Sequence, residues 1–152
     1  MLDNTVAGGV SAGEEVFECL VREAAEEAAL SEDLIRAHAR PASTVTWLNI
    51  TDSGKGGEVG LVDPGVLFVY DLQVSEDVIM KPVDGDVEAF HLLPVQEAQA
   101  LLAQGRFKPS SAGVLIEFLI RHGYITASNE PDYVELISRL HRRLPFPTRN
   151  HS

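Results

Sequence analysis

Glu23, Glu26 and Glu27 are spaced i, i+3 and i+4, so on a helix their carboxylates share one face within reach of a common point. Three like charges held together repel. A Mg²⁺ or Mn²⁺ ion removes that cost, because hard divalent cations take carboxylate oxygens and keep waters for substrate phosphates to displace. Such an ion neutralises charge on a diphosphate and acidifies a bound water, the chemistry that water needs to attack phosphorus. The residues therefore point to cleavage of a phosphoanhydride in a small-molecule diphosphate. The bland alternative is a solvated helix face, with Arg22 pairing to Glu26 for a few tenths of a kcal/mol.

A rigid helix has to position these groups, and the sequence supplies one. Phe17, Leu20, Val21, Ala24 and Ala28 form an apolar stripe of helical period that predicts a core-facing side. Ahead of it, Thr5 to Val10 reads as a short strand running into a glycine turn. After it, Ser31 caps a short second helix, Ser43 to Asp52 reads as a strand, and Asp52 to Gly57 as a turn. Val66 to Leu72 is the strongest strand, apolar enough to be buried on both faces at the centre of a sheet. Val87 to Leu93 reads as another strand closed by Pro94, and Val95 to Gln104 as a helix stopped by Gly105. Ser110 or Ser111 caps a helix through His122, stopped by Gly123. The last helix has Pro131 in its first turn, runs through Tyr133, Leu136, Ile137 and Leu140, and ends at residues 144–147. Strands flanked by helices imply an α/β or α+β layered domain.

Composition narrows the function classes. The 152 residues, 45% hydrophobic and 23% charged, suit one domain with its own apolar core and argue against extended disorder. A net charge of −11 repels a nucleic-acid backbone, so no nucleic-acid partner is expected. The first 35 residues hold nine acids and one base, Arg22, whereas the stretch from Gly105 to Arg149 holds more bases than acids. That local excess of acid is what a divalent cation would answer. Cys19 is alone, which excludes an intrachain disulfide or a CxxC site and fits a reducing, cytoplasmic location. No apolar run is long enough for a membrane span, and no basic leader opens the chain, so neither membrane insertion nor export is expected. His38, His91, His122, His141 and His151 lack paired metal spacing and read as structural or surface groups. Gly54-Lys-Gly-Gly lacks the rest of a phosphate-binding P-loop, and no GxGxxG opens a helix. Oligomeric state is left open.

The run GGVSAGEEVFECLVREAAEEAAL from Gly8 to Leu30 resembles the Nudix box, Gly-x5-Glu-x7-Arg-Glu-U-x-Glu-Glu-x-Gly-U with U aliphatic. Gly8, Glu14, Arg22, Glu23, Ala24, Glu26, Glu27 and Leu30 match it in register, and Ala29 replaces the final glycine. That departure touches the helix ending and removes no metal ligand. With the glycine loop, Glu14 and Arg22 all in place, the resemblance outweighs the solvated-face reading. It implies that Glu23, Glu26 and Glu27 hold Mg²⁺ or Mn²⁺ and take part in catalysis, while Gly8, Glu14 and Arg22 support the loop and helix.

The segment from Asp84 to Glu97 resembles a second hallmark of Nudix domains, an acidic loop leading through a strand to a helix. It assigns Glu88 as a further catalytic group, either at the metal or as general base; the alternative is the polar side of an edge strand. The stretches Gly105 to Ser111, Phe118 to Thr126, Asn129 to Tyr133 and Leu140 to Pro147 resemble a narrower group, the Nudix proteins related to thiamine pyrophosphokinase. That resemblance implies an α/β/α sandwich with a mixed sheet and a C-terminal helical extension. It also implies hydrolysis of damaged thiamine diphosphates, the oxo and oxy forms, to the monophosphate. Trp47, Phe68, Tyr70 and Phe90 are candidates to stack on a heteroaromatic ring, with core packing the alternative; Trp47 is taken as substrate-binding. Lys108 is a candidate phosphate contact.

The expected organisation is a hydrolase domain over residues 1–104, helices packed on it over 105–147, and a tail over 148–152. Relatives in the resembled group carry strands and a basic segment ahead of the box, so the chain is expected to lack N-terminal strands. That expectation leaves two alternatives to hydrolysis: a diphosphate-binding module weakened in turnover, and an acidic protein-interaction domain.

Overall fold

The computed structural model describes residues 1–50, 59–83 and 85–146. Along the chain run α1 (Val16–Ala28), α2 (Glu32–His38), β1 (Ala39–Ile50), β2 (Val62–Leu72), α3 (Val95–Ala103), α4 (Pro109–Arg121) and α5 (Tyr133–Leu140). The class is α+β as expected. Where a mixed sheet with a central strand was anticipated, the described residues form one two-stranded antiparallel sheet, β1 against β2. The turn expected at Asp52 to Gly57, Asp84, Pro147 and the tail lie outside the described residues.

The fold divides into two compact units. The first comprises residues 1–42 and 70–112. Its core gathers Val21, Ala24 and Ala28 of α1 with Leu30, Ile35 and Ala39, and Phe17, Leu20, Val6, Leu72, Met80 and Phe90 pack around them. The apolar stripe read from the sequence is this buried face. Phe17 also meets Tyr70 at 5.7 Å between ring centroids. Ser31 caps α2 as predicted, its hydroxyl accepting from the Leu34 N–H at 3.3 Å. Arg36 ties α2 back to α1 through Glu18 and holds Glu32 within its own helix, each at 2.7 Å.

The end of α1 departs from ideal geometry. Ala29 is left-handed at φ 55°, the only non-glycine residue with positive φ among those described. The Leu30 N–H closes the turn onto the Ala24 carbonyl at 3.1 Å, and buried Leu30 completes the cap. The Lys81 N–H then satisfies the Ala28 carbonyl at 3.1 Å, pinning the segment after β2 to this helix end.

Two expected strands do not form. Residues 5–10 are bent coil, because side chains of α1 take the backbone groups a ladder would have used: Glu27 accepts the Ala7 N–H, and Arg22 and Cys19 donate to the Gly9 carbonyl. Ahead of them the chain makes one parallel bridge, Leu2 to Phe107. Residues 87–93 are also irregular. Val87, Phe90 and Leu93 are partly buried while their neighbours are exposed, Leu92 completely. That spacing of three is the period of an unpaired extended chain, not the two-residue alternation of a strand.

The second unit comprises residues 43–69 and 113–152. Val45, Val69, Leu119, Leu140 and Leu144 are its buried apolar residues. Gly113 lets α4 come close: a Cβ there would sit 3.5 Å from Val45 and 3.6 Å from Leu140. The Thr46 hydroxyl donates to the Arg142 carbonyl at 2.7 Å. β2 is not doubly buried; Val69 faces the core while Phe68 and Val66 are exposed. With one partner strand among the described residues, its apolar run alternates between covered and open sides. Neither Ser110 nor Ser111 is the cap, since α4 begins at Pro109 and takes both serines into its first turn, with Ser111 buried.

Candidate metal and phosphate site

The site is built on the first helix and the glycine loop before it. Arg22, at the middle of α1, is the hub. Its Nε donates to Glu14 Oε1 at 3.0 Å and its Nη2 to Glu14 Oε2 at 3.2 Å, a two-point clamp across the loop. Its Nη1 donates to Glu23 Oε1 at 2.7 Å and Glu26 Oε2 at 3.2 Å, and Nη2 reaches the Gly9 carbonyl at 3.4 Å. Glu14 also accepts the Ser11 N–H at 2.9 Å, which fixes the loop's final turn.

These contacts govern protonation. Hydrogen bonds from Arg22 and then from the Ser11 amide pull the Glu14 carboxyl down to about 2 from an ordinary value near 4.5. The same partners, Glu14 first and then Glu23, hold the Arg22 guanidinium more firmly charged than usual. Burial, reinforced by the negative Glu14, pushes the Cys19 thiol up, so it sits in the site as a neutral packing group.

Gly8 has a steric reason. A Cβ there would lie 1.9 Å from the Glu23 carboxyl group, so only glycine lets the loop backbone cross over that carboxylate. Glu23 is accordingly sheltered, 15% exposed, while Glu26 stands at 56%. Glu27 lies beside them, with Oε2 accepting the Ala7 N–H at 2.9 Å.

The three glutamates thus share a helix face, but their carboxylates do not converge on one point. Among the described residues, no three His, Cys, Asp or Glu side chains gather as a group able to hold a metal ion. The cause is visible: Arg22 gathers Glu23 and Glu26 while the Ala7 amide draws Glu27 aside. As a donor set the residues suit Mg²⁺ or Mn²⁺, all hard carboxylate oxygens, and two of them already meet on a single cationic nitrogen. For an ion to take that place, Glu23 and Glu26 must both exchange the Arg22 Nη1 for it, and Arg22 retains Glu14 and Gly9 through Nε and Nη2.

The remaining candidates fall in different places. Glu88 is exposed within the irregular segment after residue 84 and is not gathered with the three glutamates. Trp47 belongs to the second unit, where its indole packs over Gly65 so closely that a Cβ on that glycine would lie 2.0 Å from the ring. Lys108 lies in the first unit and pairs with Asp3. Sequence reasoning passed over Asp3 and the Ala7 amide. No spacing rule marks them, because they reach their partners through a chain reversal rather than along a helix. No described helix is long and apolar enough to cross a membrane.

The chain is 44% identical to an uncharacterized protein of Saccharomyces cerevisiae over 154 residues, covering 99% of this chain and 45% of that one. It is 38% identical to the protein named Nudix hydrolase 20, chloroplastic, of Arabidopsis thaliana, covering 94% of this chain and 36% of that one. To Nudix hydrolase 24, chloroplastic, of the same plant it is 36% identical, covering 91% and 36%. The chain therefore spans less than half the length of these relatives. The NUDIX domain model matches residues 2–115, from the N-terminal bridge through the carboxylate helix into α4, and the chain belongs to the NUDIX domain family.

Proposed function

We propose that this chain hydrolyses the phosphoanhydride of an organic diphosphate, releasing the monophosphate and inorganic phosphate, with Mg²⁺ or Mn²⁺ as the required ion. The carrying observation is the Arg22 hub, which lines up Glu23 and Glu26 on one cation at 2.7 and 3.2 Å and keeps Glu27 alongside. The family supports the reaction class, since Nudix hydrolases generally need divalent cations and act on diphosphate-linked compounds. When bound, the ion would offset phosphate charge and acidify a water. Sheltered Glu23 and exposed Glu26 would hold it. Glu14 and Arg22 keep the loop and helix in register, and Gly8 leaves room for the Glu23 carboxylate. Glu88 is assigned from the resemblance as a further catalytic group, either at the metal or taking the proton of the attacking water.

Within diphosphates, the resemblance of the stretches from Gly105 onward favours damaged thiamine diphosphates, with Trp47 offered as a ring contact and Lys108 as a phosphate contact. The buried free thiol of Cys19 accords with a reducing, cytoplasmic setting. A second reading has one observation in its favour: with Arg22 occupying the carboxylates and no three-carboxylate group among the described residues, the chain binds a diphosphate without turning it over. Phosphate release from a panel of diphosphates, oxo- and oxythiamine diphosphate included, assayed with Mg²⁺ and with Mn²⁺, separates the two. Metal-dependent release that Glu26→Gln abolishes, with the fold and ligand binding intact, establishes hydrolysis. Binding with no release by the unmodified chain establishes the second reading.

A further inference from the structure

The chain's N-terminal residues run alongside the segment that enters α4. The Leu2 N–H donates to the Arg106 carbonyl at 2.8 Å, and the Lys108 N–H returns to the Leu2 carbonyl at 2.9 Å. This two-point backbone bridge delivers Asp3 to the side chains at the start of α4. One Asp3 oxygen accepts from the Lys108 ammonium and the other from the Ser111 hydroxyl. Ser111 is 1% exposed, so the hydroxyl that anchors Asp3 is fixed by burial. Four residues further on, the same N-terminal strip supplies the Ala7 amide to Glu27. One short stretch of backbone thus joins the acidic helix face to a lysine.

The electrostatics are consistent with that connection. Asp3 feels some burial, but hydrogen bonds from Lys108 and Ser111 keep its carboxyl below the usual range. Lys108 is raised, first by its hydrogen bond to Asp3 and to a smaller extent by the charge of Glu27. The Lys108 side chain is 56% exposed. An ammonium carries three donors, and one oxygen of Asp3 occupies one of them. Unaided, a lysine this exposed would spread its charge over many rotamers, and binding phosphate would cost the entropy of fixing it.

Resting on the reading of the site as one for diphosphates, we propose that Asp3 is a positioning residue: it holds the Lys108 ammonium on the backbone strip that also binds Glu27, so that Lys108 receives a phosphate group of the diphosphate. Asp3 itself touches no substrate. Its negative charge is spent on Lys108 and Ser111, so it orders the cation without presenting a free anion to the phosphate.

The test is a double-mutant cycle on the full chain, reading KM and kcat for the best diphosphate of the panel and calorimetric binding of inorganic pyrophosphate with Mg²⁺. Lys108→Met is expected to raise KM and the pyrophosphate Kd by about 10-fold or more, with kcat within about 2-fold, as for a lost charge-assisted contact. Asp3→Asn should raise both by about 3- to 10-fold, and Asp3→Glu should restore much of the loss. In the Lys108→Met background, Asp3→Asn should add nothing, because its effect passes through the lysine. Equal penalties for Asp3→Asn in both backgrounds, or a fall in KM, would overturn the proposal, as would hydrolysis indifferent to Lys108→Met. If no diphosphate is hydrolysed yet pyrophosphate binding still weakens along the cycle, the hydrolase reading fails and the positioning role stands.

Discussion

Arg121 and Arg22 each pair with a glutamate four residues away, and they do different work. On α4, Arg121 turns its Nε and Nη2 on Glu117, which is almost fully buried, at 3.0 and 3.2 Å. On α1, Arg22 is spread over Glu14, Glu23 and the exposed Glu26. Residue order separates them further. Glu117 precedes Arg121, as Glu32 precedes Arg36 and Glu135 precedes Arg139, the orientation a helix favours; Arg22 precedes Glu26, the weaker order. The lesson is that an ion pair fastens where order, burial and two-point geometry agree. Where they disagree, as at Glu26, a carboxylate stays exchangeable, which is what binding a second cation demands.

That contrast can be broken experimentally. The largest effect belongs to Glu26→Gln, expected to lower kcat on the order of 100-fold while the melting temperature stays nearly constant; a large loss of stability would make Glu26 another Glu117. Glu117→Ala is expected to do the reverse, costing about 2 kcal/mol in denaturant unfolding because a partly buried guanidinium loses the carboxylate it clamps at two points. Gly8→Ala falls between the two: relieving a contact of 1.9 Å with Glu23 should cost about 1 to 3 kcal/mol and displace that carboxylate, so activity and stability drop together.

Smaller effects sharpen the picture around Arg22 and the helix end. Ala29→Gly should stabilise by about 1 kcal/mol, read as a rise in melting temperature, with hydrolysis unchanged. The pH dependence has a definite sign. Glu14 is depressed in the folded state, to about 2 from an ordinary 4.5, so its contribution is present above pH 4.5 and is lost as pH falls toward 2. Melting curves taken across that window should show a decline that Glu14→Gln flattens.

What the sequence disclosed follows from range. The relations among Glu14, Arg22, Glu23 and Glu26 are set within one loop and one helix, where a fixed rise per residue converts spacing into geometry. The Ser31 cap and the Val21-Ala24-Ala28 face were legible for the same reason. A strand at Val87 to Leu93 required a distant partner, and apolar composition alone cannot name one. The direction of each carboxylate was hidden too, because an amide at Ala7 and a guanidinium at Arg22 compete for oxygens that spacing had assigned to a metal. Asp3 and Lys108, 105 residues apart, meet only because the N-terminus lies beside the start of α4.

The left-handed alanine closing the first helix says what the final glycine of the box stands for. It specifies a torsion angle, not a reagent. Any side chain that accepts φ near 55° satisfies it, asparagine at less cost than alanine and valine at far more. A family member read by its letters alone can therefore look defective at a position where its backbone is whole.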